Sequence, residues 1–187
     1  FSITTLPCVR LWSNDEARTP ASAGCEHLLK LIRKRFPEGS YERVFGPASQ
    51  GGERLVRRLV MQSGGHLRDL LRLLREMTVL VSTWRPTLPV AEEVIERAIA
   101  NVRNEFLPVA VEDARWLAEI ARRRDTALPD STAESIDRLS RFLDSHLVLY
   151  LTNGKDWYDV HPLVRDEALK LAKEPPMPKA SNGSNSG

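Results

Sequence analysis

One arginine-bearing segment has the residue types and spacing that could do chemistry. It covers Ser63–Arg75 and reads SGGHLRDLLRLLR. Its two glycines form a permissive turn, after which Arg68, Arg72 and Arg75 follow at helical spacing opposite a leucine face. Guanidinium groups held on a rigid helix can bind an anion such as phosphate through bidentate hydrogen bonds. The same pattern also fits an ordinary solvated helix face, which Asp69 would partly neutralise.

The motifs that would let this chain hydrolyse a nucleotide by itself are absent from the sequence. There is no Gly-x-x-x-x-Gly-Lys-Ser/Thr segment to hold phosphates, and no apolar strand ends in paired acids that could bind magnesium. Cys8 and Cys25 lack the paired spacing of a zinc site. His27 and His146 have no neighbours with ligand spacing, and His66 is expected to pack or to cap a helix start. The chain alone is therefore not expected to be an enzyme.

The composition is that of an ordinary globular chain. Its 187 residues are 42% hydrophobic, and 27 basic against 25 acidic residues leave a net charge of +2. This balance excludes a disordered protein and does not require nucleic acid as a partner. No apolar run approaches the roughly 20 residues that cross a bilayer. Because the chain begins at Phe1 without an initiator methionine or a signal peptide, we expect a cytoplasmic fragment or processed chain with no membrane partner.

Helical periodicity dominates the first half of the chain. A weakly alternating stretch over 1–12 and a loop through Gly24 indicate a strand stub whose sheet would lie upstream, since a lone strand cannot stabilise itself. Apolar residues then recur at helical spacing in four successive segments, separated by glycines and prolines. The four helices are expected over about 25–36, 53–62, 66–81 and 90–106.

The pattern changes after Pro108. Residues 131–134 have capping-box spacing, and Asn153-Gly154 between two apolar runs is the strongest short signal for a hairpin. Pro162 is placed as the first residue of a last helix. The expected elements are a helix over about 112–123, a helix from 131–134 to about 144, strands over 147–151 and 157–161, and a helix over 162–171.

These elements predict a mainly α fold, in which a four-helix bundle precedes a winged-helix domain with one β-hairpin. The C-terminal residues are rich in Pro, Ser, Asn and Gly and are expected to be unstructured. The predicted division is a strand stub and loop over 1–24, a helical domain over 25–107, a winged-helix domain over 108–173 and a disordered tail over 174–187.

Two short motifs resemble those of AAA+ and signal-transduction (STAND) ATPases, over roughly residues 1–170. Gly65-His66-Leu67-Arg68 resembles the sensor-2 segment, in which a glycine-x-x-arginine opens a helix of the α-helical lid. The four expected helices match that lid in number and order, and the remainder resembles the winged helix that follows it. In STAND proteins the second wing strand ends in Met-His-Asp. Here His161 matches the histidine, whereas Val160 and Pro162 replace its two neighbours.

The resemblance implies a regulatory C-terminal portion of an ATP-binding protein. It places Arg68 against the terminal phosphate of the nucleotide, where it would couple nucleotide state to the angle of the lid, with Arg72 as a weaker candidate. It places His161 against bound ADP in the closed state. ATP or ADP with magnesium would be held by an N-terminal ATPase core that this chain does not contain. That core, a neighbouring subunit or an effector protein is the implied partner.

A DNA-binding winged helix is the alternative function. The helix ending near residue 144 would then be the recognition helix, with Arg138 and Arg141 as its exposed cations and Lys155 at the wing tip. Acidic residues such as Asp137 and Asp156 lie among these cations, whereas a phosphate-binding face usually shows denser positive charge. Nucleic acid is therefore possible as a partner but not favoured.

A protein-interaction module is the third hypothesis. Trp84, Trp116 and Trp157 could anchor a partner, because tryptophan is enriched at interface hot spots. The same residues could equally belong to the core, and this reading is favoured at Trp116, which lies on the apolar face of its expected helix.

Overall fold

The structure is a computed structural model that describes residues 7–15, 17–152 and 154–174. Within these residues the protein is mainly helical, at 60%, with eight α-helices and one small two-stranded antiparallel sheet. The expected mainly α class with a single hairpin is thus confirmed. The first half of the predicted strand stub, and all of the predicted tail except Glu174, lie outside the described residues.

Five helices, one more than predicted, precede residue 105. They are α1 (Ser22–Arg35), α2 (Ser40–Phe45), α3 (Gly52–Gln62), α4 (Leu67–Trp84) and α5 (Glu92–Asn104), with a 3-10 turn over Ala48–Gln50. The unexpected helix, α2, is only six residues long. It begins after Gly39, whose φ of +73° suits glycine. Tyr41 and Phe45, one turn apart, pack their rings on each other at 5.1 Å and on Phe36. This aromatic packing holds a helix too short to be stable alone.

The second half follows the expected order of helix, helix, hairpin and helix. Its elements are α6 (Val111–Arg123), α7 (Ala133–Asp144), β1 (Val148–Thr152), β2 (Asp156–Val160) and α8 (Pro162–Leu171). The cap of α7 is Thr132, one residue later than the capping box predicts, and its side chain accepts a hydrogen bond from the Ser135 N–H. Asn153 of the predicted turn lies outside the described residues, whereas Gly154 has the positive φ of +78° that such a turn requires.

The hairpin is shared between two hydrophobic cores. Successive strand residues point to opposite faces of a sheet. Accordingly Leu149, Leu151 and Trp157 join the core built by α1–α5, whereas Val148 and Val160 join the core built by α6–α8. Leu163 of α8 also joins the first core, so that core takes residues from both sides of the predicted boundary near residue 108, and both cores share the two strands.

The N-terminal segment over 7–12 packs between the two halves of the molecule, which are the helices α1–α5 and the elements from α6 to α8. Residues 7–11 form no strand, and Trp12 makes one isolated bridge to Pro20. The Cys8 N–H donates to the Tyr150 carbonyl of β1, and the Val9 N–H donates to the Gly65 carbonyl at 3.0 Å. The described part of the predicted strand stub therefore bonds to residues of this chain itself.

None of the helices among the described residues combines the length and the apolar character that a membrane crossing requires.

Candidate functional site

The start of α4 is shaped by a tight turn over Ser63–Gly65. The Ser63 hydroxyl donates to the Val60 carbonyl at 2.6 Å and accepts from the Gly65 N–H at 3.2 Å. Gly65 has a φ of +80°, and an added Cβ there would lie 1.8 Å from the Val9 carbonyl oxygen. A glycine is therefore required where the chain reverses beneath the N-terminal segment. This turn directs the first residues of α4 between the two halves of the molecule.

Asp69 in the first turn of α4 is completely buried. Its Oδ2 lies 2.6 Å from His66 Nδ1, 3.4 Å from His161 Nε2 and 3.6 Å from His146 Nδ1. Its Oδ1 accepts a hydrogen bond from Arg72 Nη1 at 2.9 Å. Three of the four histidines of the chain thus converge on one carboxylate. We refer to Asp69, His66, His146 and His161 as the Asp69 cluster.

The protonation states in the Asp69 cluster follow from burial and hydrogen bonding. Burial alone would raise the pKa of Asp69, but the nearby His161 ring and the hydrogen bonds from His66 and Arg72 outweigh it and hold that pKa well below its usual range. Burial lowers the pKa of His161. Burial, helped by the charge of neighbouring His66, also lowers the pKa of His146. At neutral pH the cluster therefore holds an ionised carboxylate beside neutral His146 and His161 rings.

His161 is fully buried at the point where β2 leads into α8. Its Nδ1 accepts a hydrogen bond from the Leu163 N–H at 3.2 Å and so caps α8. Its ring stacks on Phe106 at 4.9 Å, and its Nε2 faces Asp69 without completing a hydrogen bond. In this conformation no ligand can reach the ring, so the contact with ADP implied by the resemblance stays a prediction that requires the two halves to separate.

The arginine face of α4 divides into two kinds of residue. Arg72 bridges Asp69 and Glu105 and lies over the Phe106 ring, so its charge is already paired. Arg68 and Arg75 are exposed and form neither an ion pair nor a hydrogen bond with any residue that the structure describes. Arg68 lies close enough to His146 that its charge contributes, after burial, to the lowered pKa of that ring. Arg68 thus borders the Asp69 cluster and is open to an external anion.

The candidate DNA-binding cations are mostly paired with acids. Arg138 forms an ion pair with Asp113 and lies over the Trp116 ring, and Arg141 pairs with Asp137 one turn earlier on α7. Lys155 is exposed in the hairpin turn. Two of the three predicted contacts would therefore have to break existing ion pairs before they could bind phosphate.

The three candidate anchor tryptophans differ in burial. Trp157 is 2% exposed and packs in the core of α1–α5, and Trp116 is 9% exposed with its indole N–H donating to the Thr126 carbonyl. The hypothesis that these two anchor a partner is wrong for this conformation, because their rings are used in packing. Trp84 at the end of α4 is 51% exposed and remains a candidate.

A second buried carboxylate, Asp159 on β2, ties the N-terminal segment to the hairpin. It accepts hydrogen bonds from the indole of Trp12 at 3.0 Å and from Arg124 at 2.9 Å, and it also pairs with Arg18. Burial lowers the pKa of Arg18 to about 10, opposed by the charge of Asp159. Two charged links, through Asp69 and Asp159, therefore hold the halves together.

The Asp69 cluster is the feature that the sequence pattern did not reveal. Its histidines come from three different places in the chain, and the prediction that His146 has no ligand neighbours holds only along the sequence. The interpretation of this helix as an ordinary solvated face predicts an exposed Asp69, whereas the structure buries it completely. No protein-family model matches the chain, and no curated protein or solved structure is significantly similar to it.

Proposed function

We propose that this chain is a nucleotide-sensing regulatory portion of a cytoplasmic AAA+ or STAND-like ATPase, with a helical lid before residue 108 and a winged helix after it. Arg68 binds the terminal phosphate of a nucleotide held by an N-terminal core. The observation that carries the proposal is the state of Arg68, which is exposed, unpaired with any described residue and placed in the first turn of an 18-residue helix. The positive end of the helix dipole adds to its attraction for an anion.

The position of Asp69 supports a route by which Arg68 could act on the winged helix. Arg68 and Asp69 are adjacent on the same helical turn, one facing solvent and the other buried against His161. A pull on Arg68 that rotated or shifted α4 would displace the Asp69 carboxylate from the ring that caps α8. Such a contact has two discrete arrangements, packed or broken, as a conformational switch requires.

The experiment compares Arg68→Ala with Arg75→Ala in the full-length protein that contains this chain. Both arginines are exposed on the same face of α4, two turns apart, so Arg75→Ala controls for lost helix charge. Hydrogen bonds to charged groups contribute about 1.5–3 kcal/mol each, so Arg68→Ala is expected to weaken ATP binding about 10- to 100-fold. Arg75→Ala should change it less than about twofold. Equal nucleotide affinity and hydrolysis in the two variants would remove the proposed role of Arg68.

A further inference from the structure

Two histidines and one carboxylate of the Asp69 cluster form a candidate metal centre. Donor atoms of His66, Asp69 and His146 all lie within 4.8 Å of one another, and they are the only such group among the described residues. We propose that these three residues bind one divalent transition-metal ion of the zinc class, with water completing the coordination. Imidazole nitrogen and carboxylate oxygen are ligands that zinc accepts together.

The donor distances are close to those that a tetrahedral ion needs. Zinc bonds of about 2.0–2.1 Å place neighbouring ligand atoms about 3.4 Å apart. Asp69 Oδ2 lies 3.6 Å from His146 Nδ1, whereas it is hydrogen-bonded to His66 Nδ1 at 2.6 Å. Metal binding would replace that hydrogen bond and lengthen the distance from His66 Nδ1 to Asp69 Oδ2 from 2.6 Å to about 3.4 Å. Both histidines are partly exposed on turns, at 21% and 24%, so the rings can adjust and an ion can enter.

The surrounding charges leave the Asp69 carboxylate available to a cation. Arg72 donates to Oδ1 but is also paired with Glu105. The carboxylate of Glu105 therefore balances the charge of the guanidinium group. The histidines face Oδ2, and no arginine of the described residues pairs with that oxygen. Arg68 nearby disfavours a cation, and its charge is expected to weaken the site rather than to abolish it.

His161 is an independent observation in favour of the site, because it lies where it can orient the Asp69 carboxylate. Its Nε2 is buried, has no hydrogen-bond partner in the described part of the chain, and lies 3.4 Å from Asp69 Oδ2. Because its Nδ1 accepts from the Leu163 N–H, the neutral ring carries its proton on Nε2 and cannot be a ligand. Instead it is placed to donate to the carboxylate, as groups behind a metal ligand commonly do.

A metal at this position would join the start of α4 to the turn between α7 and β1, and so would fasten the two halves. The inference does not depend on the nucleotide hypothesis. Metal binding can be measured on this chain without nucleotide, and the Arg68→Ala experiment can fail while the metal site holds.

The test uses the full chain, freed of metal by a chelator that is then removed, and titrated with Zn²⁺ by calorimetry. Wild type, His146→Gly, His66→Ala and the control His27→Ala are compared. His27 is exposed on α1 and serves as a surface histidine outside the cluster. Wild type and His27→Ala are expected to bind one Zn²⁺ per chain. The zinc affinity of His146→Gly and of His66→Ala should be at least about 100-fold lower, because losing a residue that merely supports a metal ligand already lowers affinity about 10- to 100-fold.

His146→Gly is chosen because His146 has a φ of +59°, which glycine adopts without strain. A second measurement uses only the wild-type protein, so it tests the metal site even if a variant does not fold. The visible spectrum of wild-type protein with Co²⁺ should show the intense bands of a tetrahedral site. Weak octahedral bands in wild type, or zinc affinities that are the same in wild type and His146→Gly, would overturn the proposal.

Discussion

The substitution Gly65→Ala tests whether the N-terminal segment is packed onto the turn before α4. An alanine Cβ at this position would lie 1.8 Å from the Val9 carbonyl oxygen, which is a backbone atom that cannot rotate away. Gly39→Ala is the matched control. Gly39 has nearly the same φ, +73° against +80°, but apart from its chain neighbours no atom of the described residues lies within 4 Å of its would-be Cβ. Both substitutions therefore place a Cβ at a similar positive φ, and only Gly65→Ala creates a clash.

The expected free energies follow from these contacts. A non-glycine residue in the left-handed region costs about 1–2 kcal/mol, which is the full effect expected for Gly39→Ala. At Gly65 the clash must also shift the N-terminal segment, which costs about 1–3 kcal/mol in overpacking. The Val9 N–H hydrogen bond to the Gly65 carbonyl is then lost, a further 0.5–1.5 kcal/mol approximately. Gly65→Ala is thus expected to destabilise the protein by about 2.5–6.5 kcal/mol.

Urea unfolding followed by circular dichroism measures both variants on one scale. The midpoint should fall much further for Gly65→Ala than for Gly39→Ala, with similar slopes in wild type and control. If the two variants lose the same stability within error, the N-terminal segment does not press on Gly65, and the packing between the two halves described above is incorrect.

Two further predictions concern the same interface. Burial, with the charge of Asp69, raises the pKa of Cys8 to about 12, so little thiolate is present at pH 8. Iodoacetamide should modify Cys8 at least about 100-fold more slowly in native than in urea-unfolded protein, and the native rate should still rise about tenfold per pH unit from pH 8 to 10. Peptide mapping by mass spectrometry measures both rates. A native rate that levels off near pH 9 would contradict the raised pKa. Leu149→Ala should cost about 2–5 kcal/mol, because the side chain is 1% exposed in the sheet that both cores share. Tryptophan fluorescence and circular dichroism should then give one coincident unfolding transition, and two separate transitions would show that the halves unfold independently.

Local patterns in the sequence were sufficient for most of the helices and for the hairpin. The spacing of leucines in α4, the glycine turn before it and the proline that begins α8 each act over a few residues, so they could be recognised without a structure. The helix α2 was missed because its stability comes from Tyr41 and Phe45 packing on Phe36, and so short a segment shows no periodicity. The exposure of Arg68 at the start of α4 likewise agrees with its position in the helical pattern.

The sequence by itself predicted seven of the eight helices in the described part of the chain and the hairpin, with approximate ends, and placed Arg68 on the solvent-facing side of α4. Only the tertiary structure decided that the next residue, Asp69, is buried and that His66, His146 and His161 meet around it. The physical reason is that capping, turn formation and helical periodicity depend on neighbours within about one turn, whereas burial depends on how distant segments pack. A carboxylate can be placed in an interior only where polar groups surround it. His66 and Arg72 hydrogen-bond to Asp69 from its own helix, whereas His146 and His161 approach it from two distant segments of the chain.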